Sequence, residues 1–266
     1  MAEALSSAFL AHAMSGLMAG SNTVGIGANS PIPAAAALLA QRHDPGMRVT
    51  ILGSPRHNPY TNGGAELFDF AAEGRLETFV LGALQIDGDA NLNLVSVGDY
   101  QAPKVRYPGS FGSGLLYYVV PRVIVFREDH SARALVERVD FISATGSSPP
   151  GVHRPGGPAW LLTGKAIFRF DRSRARFVLT SLHPGVSEEE VRANTGFVFE
   201  CDVVDAVEPA SAVLAPSSRV EAPRIAVTPS PARRELDWLA GPIADELSDL
   251  YPAFAVRLRA AAGDLR

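Results

Sequence analysis

Val24 to Leu52, VGIGANSPIPAAAALLAQRHDPGMRVTIL, is the stretch whose reading decides the fold. Val24-Gly25-Ile26-Gly27 is a short apolar run followed by a Gly/Asn/Ser/Pro loop over residues 28–33, which predicts a buried strand and its turn. Ala34 to Arg42 is almost all alanine and leucine, led in by Pro31 and Pro33 and closed by Pro45-Gly46. Prolines are tolerated in a first helical turn, so this spacing predicts a helix. Arg48 to Leu52 is rich in β-branched residues and predicts a second strand. With a further helix expected over residues 3–18, the chain opens α-β-α-β. That order predicts the α/β class: an open, largely parallel sheet flanked by helices.

Outward from there, the pattern predicts a helix over 65–73, a strand over 78–81 and an alternating strand over 91–97. Residues 115–120 and 123–126 are apolar and expected to be buried, and 136–142 is expected as a strand. Ser147 to Pro158 is an exposed Pro/Gly loop. Ala166 to Phe170 and Arg176 to Leu182 flank a polar turn and predict a hairpin. Ser187 with Glu190 three residues later is a capping box for a helix over 187–194, followed by a strand over 197–203. Residues 208–232 are rich in Pro, Ala and Ser and read as a linker, and Glu235 to Ala262 is expected to be helical. The expected organisation is one unit over 1–266, with 208–266 a linker plus a C-terminal helical extension.

A net charge of −4 over 266 residues implies no basic face for nucleic acid. The single cysteine, Cys201, rules out an internal disulfide and fits a reducing compartment. No apolar run approaches the roughly 20 residues that span a bilayer. The apolar N-terminus lacks a basic flank, so it is not read as a signal peptide, and a cytoplasmic protein is expected. The mean hydropathy of +0.09 is high for a soluble monomer and suggests surface buried against a partner. His57, His130, His153 and His183 show no metal-ligand spacing, so no metal site is expected.

Three glycine-bearing loops can carry chemistry. Gly27 and Asn29 stand between strand and helix, where backbone N–H groups at a helix start can cradle an oxygen; the same spacing also suits an ordinary tight turn. It is neither a P-loop nor a dinucleotide fingerprint. Gly109, Ser110, Gly112 and Ser113 belong to PGSFGSG, which lets a backbone pass close to a ligand or simply turns flexibly. Gly82, Gln85 and Asp87 follow a strand end, where open α/β sheets place ligands, although Asp87 equally suits capping the turn over 88–90.

Taken in order, GIGANSPIPAAAALLAQR, LGALQIDGDANLN, VGDYQAPKVRYPGSFGS, VERVDFISATG, LLTGKAIFRFD and SLHPGVSEEEVRANTGFVF resemble the β subunit of glutaconate CoA-transferase and related class I CoA-transferases, from about residue 20 to about residue 205. The resemblance implies the CoA-transferase (NagB-like) fold and an α-type CoA-transferase subunit as partner, with the active site built between the chains. It implies a coenzyme A thioester as substrate, with no tightly bound cofactor. It places Gly109, Ser110, Gly112 and Ser113 near the thioester, Gly82, Gln85 and Asp87 along the cleft, and Gly27 and Asn29 at the helix start.

Members of the family use a β-chain glutamate after the second strand, forming first an acyl anhydride and then a glutamyl-CoA thioester. Here that position falls on Leu52 or Gly53, and neither can attack a carbonyl. Ser54 with His57 is the nearest alternative pair. The resemblance therefore leaves three readings. One is a transferase-family subunit acting on acyl-CoA without the usual glutamate. Another is a subunit of a hydrolase that opens the ring of a β-keto acyl-CoA, with the acid supplied by the α chain. The last is a non-catalytic scaffold that binds acyl-CoA.

Overall fold

The computed structural model of the chain describes residues 6–204 and 224–265. Fourteen strands are present among these. They are β1 (Thr23–Ile26), β2 (Arg48–Ile51), β3 (Thr78–Gly82), β4 (Gln85–Ile86), β5 (Leu92–Asn93), β6 (Ser96–Val97) and β7 (Val105–Arg106). They continue as β8 (Arg122–Arg127), β9 (Pro158–Thr163), β10 (Ala166–Asp171), β11 (Arg176–Leu182), β12 (Glu200–Cys201), β13 (Val203–Val204) and β14 (Arg224–Val227). The helices are α1 (Ser7–Leu17), α2 (Pro31–His43), α3 (Gly64–Ala72), α4 (Ser113–Val119), α5 (Glu188–Ala193), α6 (Arg233–Trp238), α7 (Ala244–Leu247) and α8 (Pro252–Asp264).

One sheet runs in the order β13-β14-β11-β10-β9-β8-β3-β1-β2, with β12 also on β11. β2, β1, β3, β8 and β9 pair in parallel; β9, β10 and β11 form an antiparallel meander. The expected open, largely parallel sheet is the one observed, with an antiparallel wing on one side. The wing contains the expected hairpin of β10 and β11.

Two cores sit on opposite faces of the sheet, and the strands' period of two feeds both. Val24 and Ile26, Val80, Ile124, Leu162 and Ile167 enter one core, with α1, α2 and the C-terminal helices. Phe79 and Leu81, Val123 and Val125, Leu161 and Phe168 enter the other, with α3 and α4. Ala34 to Ala37 are fully buried in α2, and Ala8 and Ala11 are fully buried in α1. Small side chains of this kind let two helices approach closely on the same sheet face. Gly25 is required for a similar reason: a Cβ there would lie 2.8 Å from the Phe79 ring on the neighbouring strand.

Several expectations are corrected. Residues 136–142 form no strand. Their backbone is instead tied to side chains and to β4, with Val136 N donating to Ile86 O (2.9 Å) and Asp140 N to Gln85 Oε1 (3.0 Å). The alternation there records packing, not a ladder. Residues 91–97 split into β5 and β6 because the Asn93 side chain takes the local backbone, accepting from Val95 N at 3.0 Å and donating to Ser96 O at 2.6 Å. Residues 115–119 belong to α4, with Val120 as its C-cap, and Leu115 is exposed rather than buried because it faces outward from that helix. Ser187 caps α5 by accepting from Glu190 N (3.2 Å), but the Glu190 carboxylate pairs with Lys165 Nζ (2.5 Å) and so does not close the box. The C-terminal helix is broken at Gly241-Pro242, in a π-helical turn, and again before Pro252, since proline removes a helical N–H. Most of the expected linker, 208–232, lies outside the described residues.

Two histidines are buried beside β9. His183 Nε2 donates to Thr163 O (2.9 Å), and the Thr228 hydroxyl lies 3.0 Å from its Nδ1; His130 Nδ1 meets Thr163 Oγ1 at 2.7 Å. Burial disfavours the imidazolium and pushes both down to about 4, from an ordinary value near 6.5. Between those values the unfolded chain takes up protons that the folded chain refuses. Stability is therefore full above pH 6.5 and falls as the pH drops through the window. The expected loss from pH 7 to pH 5 is about 2 kcal/mol per histidine, measured by urea titration at the two values. A stability unchanged across that window would contradict the buried neutral imidazoles.

Candidate functional site

The C-terminal ends of β1, β3 and β8 lie side by side, because the three strands are parallel and in register. Ligands of open α/β sheets bind at such ends, where loops diverge and leave a crevice. A cleft of about 470 Å³ opens there. Asn29 and Ser30 contribute from the turn after β1, and Gly82, Ala83 and Leu84 from the end of β3. Phe126, Arg127 and Glu128 contribute from the end of β8, and Tyr107, Pro108 and Gly109 from a long loop.

Asn29 holds φ +54°, a left-handed conformation that asparagine tolerates better than most residues. Gly27 precedes it but is not at the cleft wall. The helix start offers little to an anion. Pro31 and Pro33 have no N–H, and the Ser30 N–H is held by the Tyr251 hydroxyl at 3.3 Å. Of the first helical turn only Ile32 keeps an N–H to present. Two prolines in three residues already carried that signal in the sequence.

The loop over 107–113 is built from unusual backbone. Gly109 has φ +122°, Phe111 +41° and Gly112 +70°. Gly112 cannot be replaced easily, since a Cβ would lie 2.4 Å from Phe68 Cζ. Ser113 N donates to Ser110 O at 2.8 Å, and so does its hydroxyl at 2.5 Å. Ser110, Gly112 and Ser113 thus anchor the start of α4, and Gly109 is the one of the four expected residues that lines the cleft.

Gln85 and Asp87 are placed away from the cleft wall. Both are buried, at 6% and 3% exposure. Gln85 donates to Asp140 Oδ2 (3.0 Å) and accepts from Asn93 Nδ2 (2.7 Å), while Asp140 Oδ2 also accepts from Gly98 N (2.8 Å). Asp87 accepts from the backbone of Asp89 (3.2 Å) and Asn91 (2.9 Å), the turn-capping alternative. These residues form a polar knot that holds the segment from Gly98 onward. That segment is stiffened further by Tyr100 stacked on Phe141 at 4.7 Å, with Arg106 over the Tyr100 ring.

The second strand's end presents no nucleophile. Leu52 N donates to Ile26 O (3.0 Å), and its side chain is partly packed into the core facing α3. Gly53 sits at φ +82°. Ser54 and His57 do not form a catalytic pair. Ser54 Oγ accepts the backbone N–H groups of Arg56 (3.3 Å) and His57 (3.1 Å), and His57 Nε2 points to Glu246 Oε2 at 3.2 Å. Sequence reasoning missed Arg127 and Glu128. Their signal was position, directly after a buried strand in a parallel sheet. Among the described residues no group of three or more His, Cys, Asp or Glu is arranged to hold a metal, and no helix is long and apolar enough to cross a membrane.

A family model described as coenzyme A transferase matches residues 21–194. The chain is 36% identical over 142 residues to the β subunit of 3-oxoadipate CoA-transferase from Pseudomonas knackmussii, half of this chain and 54% of that one. It is 36% identical over 141 residues to the β subunit of glutaconate CoA-transferase from Acidaminococcus fermentans, half of this chain and 51% of that one. It is 30% identical over 145 residues to the cholesterol ring-cleaving hydrolase IpdB subunit of Rhodococcus jostii, half of this chain and 53% of that one. The chain thus spans about half the length of the relatives it matches. The fold is shared with the crystal structure of glutaconate CoA-transferase from Acidaminococcus fermentans, at TM-score 0.70 and 22% identity over 88% of this chain and 93% of that one.

The polar knot yields a test. Gln85→Leu keeps the volume but leaves Asn93 Nδ2 and Asp140 short of partners. The expected cost is about 2–3 kcal/mol of stability, read by denaturant titration. Faster amide exchange over 96–107 is expected with it. Unchanged exchange in that loop would show that the knot does not hold it.

Proposed function

We propose, from the premise that this chain belongs to the coenzyme A transferase family, that it is the β-type subunit of a heteromeric enzyme acting on acyl-CoA thioesters. The observation that carries the reading is the cleft at the ends of β1, β3 and β8, walled by Asn29, Gly82 and Gly109. Its volume lies within the range of small-molecule sites and suits an acyl group with part of a pantetheine arm. Its glycines let the backbone come close to a carbonyl oxygen, and a developing oxyanion is best stabilised by such fixed N–H dipoles. Coenzyme A enters and leaves as a substrate.

A partner of α type completes the site in this reading. Tyr107, which lines the cleft, is 43% exposed, and Phe111, two residues beyond the lining Gly109, is 69% exposed. Exposed apolar groups gathered at a functional rim are the signature of a surface that another chain covers. We place the complex in the cytoplasm.

Hydrolysis is favoured over transfer. A transferase needs a carboxylate that can hold first acyl and then CoA. Leu52 and Gly53 supply none, and the Ser54 hydroxyl is occupied by two backbone donors. The similarity to the ring-cleaving hydrolase subunit supports the same direction, with water as the attacking species. Under this reading the chain supplies the thioester socket and water attacks the thioester carbonyl; ring opening of a β-keto acyl-CoA, which breaks a C–C bond and leaves the thioester intact, is the alternative form of hydrolysis.

The test is reconstitution with an α-type subunit. Turnover of acyl-CoA thioesters in ¹⁸O-labelled water is expected to put one heavy oxygen into the product acid. Turnover only in the presence of an acceptor acid, with no label from water, would replace hydrolysis by transfer. No turnover with either would leave a scaffold.

A further inference from the structure

Hydrolysis of a thioester needs a group that takes a proton from water and returns it to sulfur. Leu52, Gly53, Ser54 and His57 do not provide one. Among the described residues, Glu128 is the sole carboxylate that lines the cleft. It follows the last residue of β8, so it stands at the same rim as Asn29 and Gly82. Its backbone is fixed: Gly164 N donates to Glu128 O at 3.0 Å, and a Cβ on Gly164 would lie 2.4 Å from that carbonyl. The neighbouring acid, Asp129, is used up by Arg133 at 3.0 Å and Arg127 at 3.5 Å. Arg127 also donates to Ala83 O (3.3 Å), so this cation of the cleft is tied to the wall. Glu128 is exposed at the cleft's mouth, and its side chain forms no hydrogen bond or ion pair among the described residues. A carboxylate anchored at its backbone and unpaired at its oxygens is suited to move a proton, not to support the fold.

We propose that Glu128 is the general base and acid of this cleft, a role that rests on reading the cleft as a thioester site. An O–H bond of water breaks, and the proton goes to the Glu128 carboxylate. The water oxygen bonds to the acyl carbon, and the carbonyl electron pair moves onto oxygen as an oxyanion. Collapse restores the carbonyl and breaks the C–S bond. The departing thiolate takes the proton from Glu128, which returns to its starting state. Thioester and water have become carboxylic acid and thiol.

The experiment uses the complex with its α-type subunit, CoA for binding by calorimetry, and acetyl-CoA and glutaryl-CoA for thiol release. Glu128→Gln is expected to lower kcat by about 10²–10³-fold with KM within threefold. Glu128→Asp, which keeps the carboxylate, is expected to recover part of the rate. Undiminished kcat in Glu128→Gln, or a change in KM alone, overturns the proposal. So does a wild-type complex that binds CoA and hydrolyses neither thioester, although the cleft then remains a CoA site. A wild-type complex that does not bind CoA removes both the inference and the reading beneath it.

Discussion

The contact between Gly25 and Phe79 is the constraint on which the rest is built. β1 lies between β2 and β3 with helices above and below, so each of its residues must fit a core on one face or the other. Val24 and Ile26 fill one core. On the other face Phe79 occupies the space a Cβ at position 25 would need. Only glycine lets the ring cross the strand there, and the bulk absent from β1 is supplied by β3. With that exchange made, β1, β3 and β8 stay in parallel register and their ends reach one rim. The cleft is a consequence of that register.

A second layer of organisation keeps the cleft open. Loops beside a ligand site cannot be filled with apolar side chains without closing it. The segment from Gly98 onward is instead fixed from behind, by Gln85, Asn93 and Asp140, and by Asp87 capping its own turn. Inside a protein such polar groups are costly unless each is paired; Gln85 is paired with both Asn93 and Asp140, and Asp87 with the backbone of its own turn. Several of the residues singled out in the sequence are thus scaffold. Gln85 and Asp87 support the site from behind; Asn29, Gly109 and Glu128 face the space where chemistry is proposed. His130 and His183 follow the same rule beside β9, where two buried neutral imidazoles hydrogen-bond to threonine and backbone carbonyl groups.

Legibility followed the range of the interaction involved. The strands at 24–27, 48–52 and 78–81, the alanine helix and the hairpin around 171–175 were all readable, because periodicity and turn residues are local signals. The strand expected at 136–142 was a misreading of the same kind of signal. Its apolar alternation is real, but its backbone partners are the Gln85 side chain and β4, fifty residues earlier. Asn93 broke another expected strand by bonding its neighbours' backbone. How little the helix start has to offer an oxygen was already present in the residues: Pro31 and Pro33 have no N–H to give.

The sequence by itself determined the α/β class, the parallel pairing that alternation of strands and helices demands, the family resemblance, and the absence of a glutamate after the second strand. Each is a property of residue type and order. Only the tertiary structure decided which of the singled-out residues meet. It separated Gly109 from Ser110, Gly112 and Ser113, turned His57 away from Ser54 toward Glu246, and brought Glu128 to the rim with Asn29. These placements depend on pairings across 50 to 200 positions of chain, and no local pattern carries that information. Spacing tells which way a side chain faces on its own strand or helix; packing decides what stands opposite.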